Sequence, residues 1–276
     1  MLELGGGLLA RSLALLADSA HVFMDAVALG VALFALVQAR RPATSRHSYG
    51  YARLEILAAL GNAALLFAVA VLIVVEAARR FASPQLPEGH LMLAVALAGA
   101  TVNVALGFAL ARGARHDLNV KAALLHVASD ALGALAVAVA AGLVIVIRAP
   151  WVDPLASLVV AAIILAGVIH IVREAGDVLL ESAPLHAAIP DVRERIRLLE
   201  GVVEVHDLHV WTIGSGHYAL SAHVRLDDRR ISEASSLLAR IEARMRAEFG
   251  ITHLTIQFEC KSCEPDERIV CTQAPR

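Results

Sequence analysis

The sequence predicts an α-helical membrane bundle of five complete spans and half of a sixth, followed by a small α/β domain. Three observations carry that expectation. Hydrophobic residues make up 58% of the 276, and aromatics only 4%, so Ala, Leu and Val supply an apolar content well above that of soluble proteins. Long apolar stretches fill residues 12–180, whereas charged residues dominate after about 190. Two of the apolar stretches each carry a His and an Asp four residues apart, His21-Val-Phe-Met-Asp25-Ala and His126-Val-Ala-Ser-Asp130-Ala.

The elements follow in order. Met1 to Leu9, with Gly5-Gly6-Gly7, is apolar but too short to span. It has neither the basic start nor the cleavage site of a signal peptide, and reads as the end of a truncated first helix. Helices are expected near 12–39, 54–80, 89–112, 119–147 and 153–178, each long enough for a bilayer, which takes roughly 20 residues. Arg40-Arg41-Pro42, Ser83-Pro84-Gln85-Leu86-Pro87, the Arg112 to Lys121 stretch and Ala149-Pro150 separate them. Asp153-Pro154 reads as the N-cap and first-turn proline of the last span.

Basic residues orient the bundle. Arg40, Arg41, Arg46, Arg53, Arg112, Arg115 and Lys121 lie on one side, and Arg11, Arg79, Arg80 and Arg148 on the other. Seven against four makes the first side cytoplasmic, and parity places the polar C-terminal region there too. Residues 1–183 are therefore expected as a membrane domain, 184–262 as a cytoplasmic domain and 263–276 as a tail. The preference for Arg over Lys is of the kind a GC-rich bacterial genome leaves.

In the cytoplasmic part, Pro190 to Leu199 is helical in pattern. Val202–Ile213 and His217–Leu226 are β-rich runs around Gly214-Ser215-Gly216, a hairpin signal. Ile231–Phe249 has helical periodicity and His253–Glu259 reads as a third strand. This order suggests an open sheet with helices on one face.

The net charge of −2 excludes a strongly basic nucleic-acid binder. The two His–Asp pairs each occupy one helical face. Ionisable groups in hydrocarbon are costly and mark ion pathways, and two imidazoles with two carboxylates make a four-ligand site for a divalent metal. His21, Asp25, His126 and Asp130 are the candidate ligands. Asp18, one turn before His21, reads either as a partner orienting that imidazole or as a residue at the helix start. Asn62 and Asn103 read as interhelical hydrogen-bonding groups or, less favoured, as groups that contact the ion, and His170 as interfacial rather than a ligand. His47 stands alone in its loop, without enough neighbours for a site.

A second cluster is expected in the cytoplasmic part. Alternation along His206-Asp207-Leu208-His209 sends His206 and Leu208 to one face, Asp207 and His209 to the other. His223 and Glu259, on neighbouring strands, can converge with one of these. Cys260 and Cys263 have C-x-x-C spacing, a weak metal signal without a second pair; with Cys271 they form an odd, clustered set unlike a disulfide framework. Arg53 is expected to pair with an acidic group near Asp177 or Glu181, locking the hinge between the last span and the tail.

Together these motifs resemble the cation diffusion facilitator family of metal transporters, closest to its zinc–cobalt–cadmium resistance branch. Ser12 to Asp25 resembles that family's second transmembrane helix. Tyr49-Gly50-Tyr51-Ala-Arg53-Leu-Glu55 resembles the start of its third, and His126 to Asp130 its fifth. His206-Asp-Leu-His-Val-Trp211, Ser221-Ala-His223 and Thr255-Ile-Gln-Phe-Glu259 resemble its cytoplasmic domain. The resemblance implies a homodimer with six spans per protomer, a ferredoxin-like cytoplasmic domain, and exchange of a divalent cation for protons across the inner membrane. It puts His21, Asp25, His126 and Asp130 on the transport ligands, an arrangement associated with zinc over cadmium. It puts His206, His223 and Glu259 where relatives place cytoplasmic ligands. A loop site found in some relatives is matched here only by His47. A membrane metalloenzyme would need an open coordination position and a general base, and no H-E-x-x-H is present. A sensing subunit that binds metal without moving it is the other alternative.

Overall fold

The computed structural model describes residues 2–111, 118–227 and 230–260. Six helices precede the tail: α1 (Leu2–Ala10), α2 (Leu13–Ala39), α3 (Leu54–Ala82), α4 (Gly89–Ala111), α5 (Leu118–Ile147) and α6 (Val152–Leu179). Five segments, Leu13–Ala39, Leu54–Ala82, Gly89–Ala111, His126–Ile147 and Val152–Leu179, are long and apolar enough to cross a membrane. The short α1 packs on α4, and α4 on α5. A Cβ on Gly6 would come within 2.5 Å of Val95 Cγ2, so α1 and α4 approach where only glycine fits.

The contacts divide the chain into two units, Met1–Leu33 with Ala59–Val172, and Phe34–Ala58 with Arg173–Arg276. The first has an alanine-rich core, including Ala14 and Ala17 of α2, Ala63 and Ala70 of α3, Ala96 of α4, Ala138 and Ala141 of α5, and Ala161 of α6. Small residues let apolar helices approach closely, as helices in lipid do. The outward faces carry Leu29, Leu72, Phe108, Leu132 and Val146, all more than two-thirds exposed. Apolar patches of that extent belong in hydrocarbon rather than water.

Asp153 corrects one expectation. α6 already begins at Val152, so Asp153 lies inside its first turn, and the carboxylate is spent on a different helix. It accepts from the backbone N–H of Leu13 (2.7 Å) and of Ala14 (3.2 Å) at the start of α2. Asn62 is a second correction. Its Oδ1 is buried without a hydrogen-bond partner among the described residues, so the expected interhelical bond is not made through that atom.

In the second unit, α7 (Ile189–Arg197), β1 (Val202–Gly214), β2 (His217–Leu226), α8 (Ile231–Phe249) and β3 (Ile251–Cys260) follow in order. The sheet order is β1-β2-β3, with β1 antiparallel and β3 parallel to β2. The β1–β2 hairpin turns through Gly216 at φ 72°, and α8 ends on Gly250 at φ 66°, a left-handed cap suited to glycine. Val192 and Ile196 of α7 and Leu237, Ile241 and Met245 of α8 pack into one core with Leu220, Ala222, Val224 and Leu226 of β2. Ser221, His223 and Arg225 therefore face away from that core, as strand alternation requires.

Within this unit the α2–α3 connection lies against the tail. Tyr49 meets the ring of His253 edge-on, with centroids 5.3 Å apart. Arg53 Nη2 donates to Glu181 Oε1 at 3.0 Å, the pairing expected for the hinge.

Candidate metal centres

α2 and α5 bring the two His–Asp pairs together. Asp25 Oδ2 lies 3.6 Å from His21 Nε2 and 3.6 Å from His126 Nε2. Asp130 Oδ1 lies 4.0 Å from His21 Nε2, and its Oδ2 3.8 Å from His126 Nε2. Each carboxylate thus sits between both imidazoles, one on its own helix and one across. A tetrahedral zinc with ligand bonds of about 2.0–2.1 Å has ligand–ligand edges of about 3.3–3.4 Å, so the four histidine–carboxylate separations exceed such an edge by a few tenths of an ångström. His21, Asp25 and Asp130 offer atoms all within 4.8 Å of one another, while the His126 side chain is 54% exposed and forms the open edge. His21 Nδ1 and Asp25 Oδ2 are buried without hydrogen-bond partners among the described residues. Such orphans are rare in folded proteins.

That orphaned Nδ1 also bears on Asp18. Asp18 makes no hydrogen bond to it and lies in the second turn of α2, which begins at Leu13. It is 6% exposed, its Oδ1 3.5 Å from where a Cβ on Gly133 of α5 would lie.

The tail cluster is built across three strands. His206 pairs with His223, and His223 with Gln257, in register. Glu259 Oε1 is 2.7 Å from His223 Nδ1, and its Oε2 is 3.1 Å from His206 Nε2. These three groups form a metal-capable set with ligand atoms within 4.8 Å of one another, and His206 Nδ1 is buried without a partner among the described residues.

Strict alternation fails along β1. The strand has a bulge between His206 and His209, with Asp207 at φ 47°. An extra residue in one strand shifts the phase of everything beyond it. Val205 faces the core before the bulge, Leu208 and Val210 after it. His206 and His209 consequently share the open face instead of opposing each other. Asp207 joins them, its Oδ1 3.1 Å from His209 Nε2 and its Oδ2 3.7 Å from His223 Nε2. Asp207 and Gln257, which donates to Glu259 at 3.2 Å, extend the cluster beyond the expected residues. The signal for the bulge is in the sequence: Val205, Leu208 and Val210 cannot all face one core at period 2.

The remaining candidates are simpler. His47 interacts with Thr44 at 3.4 Å and stacks on Tyr51, without acidic partners among the described residues. His170 is an exposed residue of α6. Cys260 contributes its backbone to the end of β3; Cys263 and Cys271, with the 263–276 tail, lie outside the described residues.

Comparison with known proteins covers nearly the whole chain. Residues 1–180 match the cation efflux transmembrane domain, and residues 184–261 the cytoplasmic domain of cation efflux proteins. A cadmium, cobalt and zinc/H(+)-K(+) antiporter of Bacillus subtilis is 38% identical over 98% of this chain and 88% of its own length. The metal cation efflux system protein CzcD of Cupriavidus metallidurans is 38% identical over 95% and 83%. The zinc transporter ZitB of Escherichia coli is 38% identical over 96% and 85%. Among solved structures, the metal-bound C-terminal domain of the CzcD transporter matches at 35% identity, covering 26% of this chain and 96% of that one with a TM-score of 0.24.

Proposed function

The chain belongs to the cation efflux family, and from that premise we propose that it exports a divalent cation, foremost zinc, in exchange for protons. Members of this family are membrane metal transporters and not enzymes. The cargo site is the tetrahedral set His21, Asp25, His126 and Asp130. The observation that carries this reading is the bridging position of each carboxylate between imidazoles of two different helices.

The ligands supply the coupling. An imidazole must be neutral to bind metal, and its ordinary pKa of about 6.5 lies close to physiological pH. A cation arriving from the cytoplasm displaces protons from the two histidines. Protons arriving from the other side displace the cation in turn. Exposing one site alternately to the two sides links the flows. Zinc suits such a site because it imposes little geometric preference of its own.

The tail cluster supports a second, regulatory ion held by His206, His223 and Glu259. A bound divalent cation there would cross-link three strands and withdraw Glu259 from its hydrogen bonds. The protein acts as a homodimer through its cytoplasmic domain, which spans residues 184–262. Residues 1–183 form the membrane domain. The C-x-x-C pair, Cys260 and Cys263, is a further metal-binding candidate on spacing alone.

Zinc flux into proteoliposomes under an imposed pH gradient tests the reading. The expected result is flux that grows with the gradient and collapses when a protonophore dissipates it. A wild-type protein that binds zinc yet moves none under the gradient would establish the sensing alternative instead.

A further inference from the structure

One buried carboxylate ties three helices of the first unit together. Asp153 is fully buried and accepts four hydrogen bonds. The donors are Ser12 Oγ at 2.6 Å, Leu13 N–H at 2.7 Å, Ala14 N–H at 3.2 Å and Arg80 Nη1 at 3.2 Å. Ser12 also accepts from the Leu15 N–H at 3.2 Å, as an N-cap does. Arg80, only 12% exposed, donates in addition to the Arg11 carbonyl at 2.7 Å. One carboxylate therefore holds the start of α2 against α3 and α6.

Three physical points give this tie a consequence. A carboxylate at a helix N-terminus is favoured by unpaired N–H groups and by the helix dipole. A buried charge is tolerated only while its partners stay in place, and removing one is strongly destabilising to the arrangement. Finally, α2 carries His21 and Asp25, the first of them about 14 Å along the helix from Ser12 at 1.5 Å per residue. Whatever holds the start of α2 controls how far its ligand-bearing turn can swing.

Burial along α2 shows which half of the helix is packed against its neighbours. From Ser12 to Ser19 every residue is buried except Leu16, which is half-buried. From Val22 onward most are exposed, and the ligand side chains themselves are partly accessible. The packed half of the helix is the half that Asp153 grips.

We propose that Asp153, with Ser12 and Arg80, is a positioning latch that closes the extracytoplasmic end of the transport site, and that α2 must leave it for metal to exit. The inference rests on the transport reading above. Asp153 touches no ligand in this arrangement; it acts through the backbone of α2. Weakening the latch should favour the outward-open arrangement without removing a metal-binding atom.

The test uses the full chain in right-side-out vesicles, with Ala17→Cys as a buried reporter and a membrane-impermeant maleimide outside. Ala17 is 1% exposed, so little labelling is expected with the latch intact. Asp153→Asn should raise the labelling rate about tenfold, an equilibrium shift of about 1.4 kcal/mol. It should also raise the KM for cytoplasmic zinc more than it lowers the maximal rate. Asp153→Glu should recover part of the wild-type behaviour. Ser12→Ala and Arg80→Gln carry the same test should Asp153→Asn fail to insert, with smaller increases. Folded latch variants whose Ala17→Cys labelling stays at the wild-type rate would overturn the proposal. Increased labelling in the latch variants, beside an intact-latch protein that labels little and moves no zinc, would instead overturn the transport reading and leave the latch standing.

Discussion

In the membrane centre the histidine–carboxylate separations are 3.6–4.0 Å, whereas in the tail Glu259 stands 2.7 and 3.1 Å from its two histidines. The donor types are the same, and the difference lies in what holds them. Four groups on two helices face one another at separations too long for hydrogen bonds between them, so a cation there breaks no bond within the set. Glu259 on the third strand is already hydrogen-bonded to His223 and Gln257 and lies within ion-pair distance of His206, so a cation must break an existing arrangement and thereby change it. The looser set suits a cargo that must leave, and the tighter one a signal that reshapes its surroundings.

The largest expected effect tests the cargo site. Asp130→Ala should lower zinc flux by more than about 100-fold, beyond the 10–100-fold that losing a supporting hydrogen bond costs a metal site. Unchanged circular dichroism would show that the fold survives. Flux within a few-fold of wild type would move the cargo role away from the α2–α5 pair.

Selectivity sharpens the comparison next. His21→Asp replaces a nitrogen donor with oxygen and should raise the cadmium-to-zinc flux ratio by up to about tenfold, or about 1.4 kcal/mol. A constant ratio would mean that the donor set does not choose the metal.

The tail cluster should respond differently. Glu259→Gln is expected to weaken zinc binding to the cytoplasmic centre by about tenfold, measured by titration calorimetry with the membrane site disabled. Flux at saturating zinc should be unchanged, because the cargo ligands are untouched. An equal loss of flux and tail binding would erase the distinction between cargo and signal.

A smaller effect belongs to the hinge. Arg53 and Glu181 are substantially exposed, so their pair is worth at most about 1 kcal/mol of stability. Arg53→Glu and Glu181→Arg should each slow flux a few-fold, and the double reversal should restore it. Two harmless single variants would remove the hinge lock. At the bottom of the scale, Arg197 holds the Glu194 carboxyl below its ordinary value through paired hydrogen bonds. A lowered carboxylate pKa adds stability above the ordinary value and loses it as pH falls. This pair is fully exposed, so Glu194→Gln should leave Tm unchanged at neutral pH.

Much of this arrangement is legible in the sequence because its signals are local. The apolar runs and their basic and proline-rich interruptions locate the five long helices, since hydrocarbon demands continuous apolar length. The order of the tail elements follows from period and turn residues. The four candidate ligands, His21, Asp25, His126 and Asp130, stand out because an ionisable pair inside an apolar helix is costly and marks an ion pathway. What the local signals miss involves a second partner. Asp153 has the sequence context of a cap for its own helix and serves another one, 140 residues away at Leu13. Asn62 has the context of an interhelical hydrogen-bonding group and leaves its carbonyl oxygen without a partner among the described residues.

The sequence by itself determined the elements, the donor residues and the helical faces on which they lie, because backbone periodicity depends only on near neighbours. Only the tertiary structure decided which donors meet and what closes around them. The bulge at Asp207 brought His206 and His209 to one face, and the grip of Asp153 set the start of α2. The grip depends on a partner 140 residues away that no local pattern specifies; the bulge is hinted at by the spacing of Val205, Leu208 and Val210, but only the core they share fixes where it falls.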